Sequence, residues 1–372
     1  MSSLGFTSKD VVDKVKHGIS GISLQKDASL SPEPFYASKI DSRSIETSFI
    51  DFCSDPNQQF TKLEQLMLLS LNDIIKASKV ELTSRVGLII STTKGNIEIL
   101  NGDNTFPKER VYLHELGKVI KHCFGFKNEA IIVSNACVSG ILAVSIAKRY
   151  IRQGLYDDVF IVSGDVLTEF VVSGFNSFQA ISSEPCKPYS ANRNGITLGE
   201  AVASLLVTTN KMNLPEEAVE LLGDASRNDA NHISGPSRTG EGLYSSIIHA
   251  MKEAKLKPND IDYISAHGTA TIFNDDMEAI AFNRTALNKV PLNSYKGYFG
   301  HTLGASGLLE TIVAMHSVNQ QLLFESKGCD VLGVAKPIHV IQKPEPKKMD
   351  IFLKTASGFG GTNAAALFKR VN

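Results

Sequence analysis

The stretch Ser134–Arg152, SNACVSGILAVSIAKRYIR, decides how this chain is read. An apolar run, AIIV at Ala130–Val133, precedes it and reads as a buried strand. A helical pattern follows, with Ile141, Leu142, Ser145, Ile146 and Arg149 recurring at steps of three and four. Cys137 therefore sits in a strand-to-helix turn, near a helix N-terminus. Free N–H groups and the positive end of the helix dipole favour an anion there. A thiol in such a place is expected to have a lowered pKa, and the thiolate is the reactive form. Ala136, Ser139 and Gly140 are small enough for a tight turn. Taken alone, the cysteine is as well read as a small buried apolar residue.

Composition narrows the field. The chain has 372 residues, 42% hydrophobic and 21% charged, enough for a large core and two half-domains. A formal net charge of −1 gives no reason to expect nucleic acid or an anionic membrane surface as a partner. The five cysteines are odd in number, widely spaced and without a C-x-x-C, so no disulfide framework and no zinc or other metal site is expected. No apolar run reaches the length of a membrane span, no signal peptide is evident, and no P-loop or strand-borne G-x-G-x-x-G appears. A cytoplasmic setting is expected.

Along the chain, strand and helix patterns alternate. A helix is expected over Lys9–Lys16, irregular chain over 22–60, and a helix over Lys62–Lys79. Further strands are expected at Arg85–Ser91, Val159–Ser163, Ala201–Thr209, Ala218–Asp224, Ile261–Ala266, Ile351–Ala356 and Ala364–Lys369. Alternation of this kind predicts a layered α/β fold. Residues with chemical potential lie just past strand ends, where such sheets place their sites. The composition shift at Asn210–Pro215 divides the chain into halves 1–209 and 210–372.

Three more stretches stand out. SAHGTATIFNDDME (Ser265–Glu278) puts His267 directly after a strand. SYKGYFGHTLGASG (Ser294–Gly307) carries Lys296 and His301 in a glycine-rich loop that becomes a helix. SGFGGTN (Ser357–Asn363) frames Phe359 with glycines and reads equally as a hairpin turn. Each alone has an ordinary structural explanation. Together they offer one cysteine, two histidines and a lysine at strand or loop ends.

These stretches resemble the β-ketoacyl-[acyl carrier protein] synthases of the elongating class, in the thiolase-like superfamily. NACVSG resembles that family's nucleophile motif. PYSANRNGITLGEA resembles its P-F-D-x-x-R-x-G-F-x-x-G-E-G loop, AHGTATxxND and KxxxGHTLGASG its two histidine motifs, and GFGGTN its C-terminal loop. Initiating synthases would show histidine plus asparagine, and biosynthetic thiolases a second cysteine near the end. The resemblance implies a layered αβαβα thiolase-like fold built from two similar halves.

It also implies decarboxylative condensation of a Cys137-bound acyl group with a malonyl-type extender, both delivered on the phosphopantetheine of an acyl carrier protein, with no permanently bound cofactor. By the same resemblance, the amides of Cys137 and Phe359 form an oxyanion hole, and Phe359 gates the acyl pocket. His267 and His301 face the enolate oxygen, Lys296 pairs with Glu278, and Thr269, Thr271 and Gly360 meet the carrier arm and substrate. The assembly expected is a homodimer or a heterodimer with a related subunit. The alternative is a non-catalytic, chain-length-factor-like subunit.

Three departures stand against the family pattern. Relatives carry a first strand before S-x-L-G, and here Ser2-Ser3-Leu4-Gly5 lacks it, so an exposed sheet edge is expected. The Lys62–Lys79 helix carries Leu63, Leu66 and Met67 where relatives carry basic carrier-docking residues. Lys94, in STTKGN (Ser91–Asn96), stands where relatives line the acyl pocket with apolar residues. That lysine predicts a short, polar, aromatic or polyunsaturated acyl group rather than a long saturated one, as in aryl-polyene or polyketide biosynthesis.

Overall fold

A computed structural model describes residues 1–53, 58–101, 104–212, 214–231 and 235–371. The first half runs α1 (Ser8–Lys16), β1 (Ser23–Gln25), β2 (Phe35–Ser38), α2 (Ser42–Phe52), α3 (Lys62–Ser78), β3 (Val86–Ser91), α4 (Leu113–Phe124), β4 (Ile131–Val133), α5 (Ser139–Arg152), β5 (Asp158–Asp165), α6 (Glu169–Ser177), β6 (Leu198–Gly199) and β7 (Ala201–Thr208). The second runs β8 (Val219–Asn228), α7 (Glu241–Ala254), β9 (Tyr263–Ser265), α8 (Ile272–Arg284), β10 (Leu292–Asn293), α9 (Lys296–Phe299), α10 (Ser306–Asn319), β11 (Leu322–Leu323), β12 (Glu345–Pro346), β13 (Ile351–Gly358) and β14 (Thr362–Arg370).

Two sheets carry the fold. The first has the order β4-β3-β5-β7 and the second β10-β9-β13-β14-β8. Their strands are apolar on both faces, because helices cover both sides. α5 and α10 lie together between the sheets, α3 and α4 cover the outer face of the first, and α7 and α8 that of the second. The result is five layers, αβαβα. The central core joins Ile89, Val144, Leu308 and Phe352 from both halves.

The crossing of α5 and α10 depends on glycine. A Cβ on Gly140 would sit 2.7 Å from the Leu308 backbone nitrogen, and one on Gly307 would sit 2.9 Å from that of Ile141. These helices both begin beside the candidate site. Their close approach is what brings Cys137 and the loop of His301 together.

Three expectations need correction. Residues 22–60 are not wholly irregular: β1, β2 and α2 form there. α2 starts at Asp41, whose side chain accepts the Ser44 N–H, and buries Ile45 and Phe49. Pro56 and, in the Asn210–Pro215 boundary, Asn213 lie outside the described residues. α6 was not anticipated; Thr168 caps it through the Val171 N–H. Leu63, Leu66 and Met67 do not form an outward apolar face on α3, because all three are buried against the first sheet.

The edge of β7 is partly covered. Met1 exchanges backbone hydrogen bonds with Val202, and its amino group, buried there, is pushed down to about 5 by desolvation. Beyond this rung a groove of about 350 Å³ runs along Ala203–Leu205 between α3 and α10.

Candidate active site

The turn at residues 134–138 is strained in the sense the sequence suggests. Ala136 adopts φ 45°, a region that L-residues seldom enter. α5 begins only at Ser139, so Cys137 precedes it. Ser139 Oγ accepts the Asn135 N–H and donates to the Ala136 carbonyl, which holds the tight turn. Cys137 Sγ thereby reaches the end of a cavity of about 430 Å³, which His267, His301 and Thr269 also line.

His301 Nε2 lies 2.9 Å from Cys137 Sγ, and the imidazole rings of His301 and His267 are 5.3 Å apart, edge to face. The backbone of His301 is pinned from the first half: its N–H donates to the Thr197 carbonyl at 2.6 Å, and its carbonyl accepts from Gly199. His267 is set by Lys296, whose Nζ stands 3.3 Å from His267 Nδ1 and donates to the His267 carbonyl at 2.6 Å. An ammonium has no lone pair, so Nδ1 must accept. The ring proton of His267 is therefore on Nε2. His301 Nδ1 meets Ser306 Oγ at 3.0 Å; a hydroxyl donates or accepts, so His301 is not held to one tautomer.

Burial governs the titration of this set. Desolvation, then the charges of Lys296 and its neighbours, hold both imidazoles well below the usual histidine range, so both are neutral near pH 7. Burial also pushes the Cys137 thiol up to about 11, against the lowering effects of Lys296, Lys94 and the Phe359 N–H. The expected resting thiolate is thus overturned. Cys137 lies ahead of the first helical turn and is buried, and its desolvation exceeds the lowering from the neighbouring ammonium groups.

The chain matches two consecutive family descriptions: beta-ketoacyl synthase, N-terminal domain, over residues 10–212, and beta-ketoacyl synthase, C-terminal domain, over residues 218–330. It belongs to the β-ketoacyl synthase family. A similar protein is 3-oxoacyl-[acyl-carrier-protein] synthase 2 of Rhizobium meliloti, 30% identical over 270 residues, which are 68% of this chain and 62% of that protein. Another is the tetracenomycin polyketide synthase ketoacyl synthase alpha subunit of Streptomyces glaucescens, 29% identical over 272 residues, which are 66% of this chain and 61% of that one. The matches thus span less than two thirds of the curated relatives. The fold is that of solved ketosynthases. The ketosynthase ApeO of Xenorhabdus doucetiae, solved with its chain length factor ApeC, superposes with a TM-score of 0.88 at 23% identity, covering 100% of this chain and 96% of that one.

Lys296 does not form the ion pair with Glu278 that the family resemblance implied. Its Nζ pairs with Glu310 Oε1 at 2.8 Å. Glu278 is occupied as a brace: its oxygens accept the N–H groups of His267 and Gly268, at 2.9 and 2.6 Å, and the Tyr189 hydroxyl at 3.0 Å. A carboxylate taken up by backbone donors on the near side of the loop is not left to face Lys296, whereas α10 points Glu310 at it. Glu310 was missed because its role depends on two helix faces meeting.

Thr269 and Thr271 line the cavity, their hydroxyls 2.9 Å apart. Gly360 does not line it; its carbonyl accepts from the Asn228 side chain. Lys94 does not line it either. Its Nζ donates to Thr93 Oγ1, beside the 134–137 turn. SGFGGTN is a hairpin turn, since β13 and β14 pair from Gly358↔Thr362 onward, and the same turn presents Phe359 at the cavity mouth. Phe359 stacks on Phe175 at 5.5 Å and meets Phe178 edge-on at 5.4 Å. Phe175 lies on the unanticipated α6 and Phe178 directly follows it. Among the described residues no group of His, Cys, Asp and Glu could hold a metal ion, and no helix is long and apolar enough to cross a membrane.

Proposed function

We propose that this chain is an elongating β-ketoacyl-[acyl carrier protein] synthase, an acyltransferase that carries out a decarboxylative Claisen condensation. The observation that carries this reading is Cys137 Sγ at 2.9 Å from His301 Nε2, with His267 beside them at the end of one cavity. In the loading step, Cys137 sulfur bonds to the acyl carbon as the carrier's sulfur leaves. His301, with its Nε2 lone pair toward the thiol, takes the thiol proton and passes it to the departing carrier thiol. A resting thiol at Cys137 makes this base necessary.

In the condensing step, the malonyl C–C bond breaks and CO2 departs. The enolate carbon bonds to the acyl carbon, and the Cys137 sulfur leaves as a thiolate, which takes up a proton from solvent to return to the thiol. Negative charge develops first on the enolate oxygen, where the Nε2–H of His267 donates, joined by His301 once its ring proton has passed from Nδ1 to Nε2, a change that the Ser306 hydroxyl at Nδ1 permits. It then develops on the thioester oxygen, where the amides of Cys137 and Phe359 serve; losing one such donor costs about a hundred- to a thousandfold in rate. Lys296 stays off the substrate and holds the His267 tautomer.

The carrier's phosphopantetheine is read as entering past Thr269, Thr271 and Phe359. The halves 1–209 and 210–372 act as the nucleophile-bearing and histidine-bearing units. β4 is an edge strand with, among the described residues, no partner on its outer side, and a second subunit is expected to pair there. A homodimer is the simpler assembly; a heterodimer with a related subunit is the other. Lys94 lies outside the cavity and acts on Cys137 only through its charge, so the acyl preference expected from it has no contact behind it and the loading experiment below decides the acyl class. The reading of a non-catalytic, chain-length-factor-like subunit leaves Cys137, His267, His301 and Lys296 without a use. The enzyme is assigned to the cytoplasm.

The test is the intact mass of the protein incubated with acyl carrier protein loaded with different chains, beside Cys137→Ala. An acyl adduct on the parent and none on the variant is expected. No adduct with any chain, alone or with a co-purified partner, overturns the reading.

A further inference from the structure

One buried charge remains unused. Lys354 lies in the middle of β13 with its side chain fully buried. Strand alternation turns Phe352, Lys354 and Ala356 toward the central layer, where α10 passes. There Lys354 Nζ meets Glu310 Oε2 at 2.5 Å and the carbonyls of Ser265 and Ala266 at 3.2 and 3.3 Å. The other oxygen of the same carboxylate, Oε1, holds Lys296. Two ammonium groups thus share one carboxylate, and the formal sum of the three is +1. Both carbonyls belong to the end of β9, directly before His267.

We propose that Lys354 is a positioning residue for the histidine pair. It anchors Glu310 so that the second carboxylate oxygen presents to Lys296, and it supplies the excess positive charge that keeps His267 and His301 unprotonated. The inference rests on the condensing-enzyme reading for its catalytic consequence, but not for its physical content. A lone Glu310–Lys296 pair would be neutral and free to turn about the Glu310 side chain. With Lys354 present the carboxylate is held at both ends, so Lys296 Nζ stays against His267 Nδ1 and the Nε2–H stays aimed into the cavity. A buried charge costs several kcal/mol unless it is paired and hydrogen-bonded, and here three oxygens meet that need.

The groups that face this cluster are few. Lys296 comes from α9, Glu310 from α10, Glu278 from α8, and His267 from the end of β9, with His301 in the loop before α10 and the Cys137 thiol, ahead of α5, at 2.9 Å from His301 Nε2. Lys94 adds its charge from the first half. Removing one positive charge from this set raises the proton affinity of both imidazoles. Neutral histidines are then lost at higher pH as the solution is acidified.

The experiment compares the parent with Lys354→Met, which keeps length and loses charge. Lys354→Gln is made in parallel, so that a folded variant is in hand if one of the two fails to fold. The first readout needs no substrate: histidine ring carbons labelled with 13C are titrated by NMR, with His267 and His301 assigned by substitution. The expected result is an upward move of both titrations by about one pH unit, the order a single charge produces across a poorly screened interior. The second readout is the pH profile of condensation, whose acid limb should move upward by the same amount, about tenfold in rate on that limb. A folded variant whose imidazoles titrate within about 0.2 pH unit of the parent overturns the proposal and leaves Lys354 a packing residue. An NMR shift without any condensing activity in the parent upholds the proposal and counts instead against the enzymatic reading.

Discussion

The two halves place their reactive groups by different physical means. In the first half, Cys137 is positioned by backbone: a strand end, a positive φ at Ala136, and a glycine that lets α5 lie against α10. In the second half, His267 is positioned by buried charge, with Lys296, Glu310 and Lys354 in one chain of contacts and Glu278 bracing the loop. Backbone positioning needs small residues and buries the thiol, whose desolvation exceeds the pull of the Lys296 and Lys94 charges. Charge positioning needs burial and makes the site sensitive to every member of the network. A neutral thiol beside two neutral imidazoles results, with positive charge held one step behind them.

The strongest way to break this contrast is at Glu310. Glu310→Leu leaves two buried ammonium groups without their carboxylate, and a loss of stability of about 3–5 kcal/mol is expected, measured by urea denaturation at pH 7. An effect under about 1 kcal/mol would mean the second half does not depend on its ion network. The corresponding lesion in the first half is smaller. Gly140→Ala drives a methyl group against the Leu308 backbone, and overpacking of this kind costs about 1–3 kcal/mol. Acyl loading should fall further than stability alone explains, because Cys137 and His301 are held together by that crossing. Equal loading by the folded variant would show that the helices can part without consequence.

The finest test concerns the thiol itself. With Cys137 raised from 9.0 to about 11, its thiolate fraction keeps growing through pH 9 and 10, where an unperturbed cysteine levels off. The rate of Cys137 alkylation by iodoacetamide, followed by peptide mass spectrometry, should therefore rise about tenfold per pH unit up to pH 10. A plateau near pH 7 would return the helix N-terminus to the leading role and make the two halves alike in using charge.

Much of this was legible in the sequence. An apolar run ending in NAC, followed by three- and four-residue periodicity, identifies the strand-to-helix turn at Cys137, because the strand and helix periods are local properties of the chain. The alternation of elements gave the layered class for the same reason, and the motifs around His267, His301 and Phe359 could be read in place. Legibility failed where a role depends on distant faces meeting. Glu310 reads as one more polar residue on a helix, and Glu278 as a natural partner for Lys296, until Lys296 is seen against Glu310 and Glu278 against the N–H groups of His267 and Gly268. Lys354 did leave a signal, a lysine inside the apolar run IFLKTA, which strand periodicity alone could not interpret.

The sequence by itself determined the candidate residues Cys137, His267, His301 and Lys296 and the strand ends and loops around them. Tertiary structure alone decided their protonation and their partners: that Cys137 rests as a thiol, that His267 bears its proton on Nε2, and that one carboxylate serves two lysines. Those properties are set by burial and by distances between groups up to 164 positions apart in the chain, and neither is written in any local stretch of it.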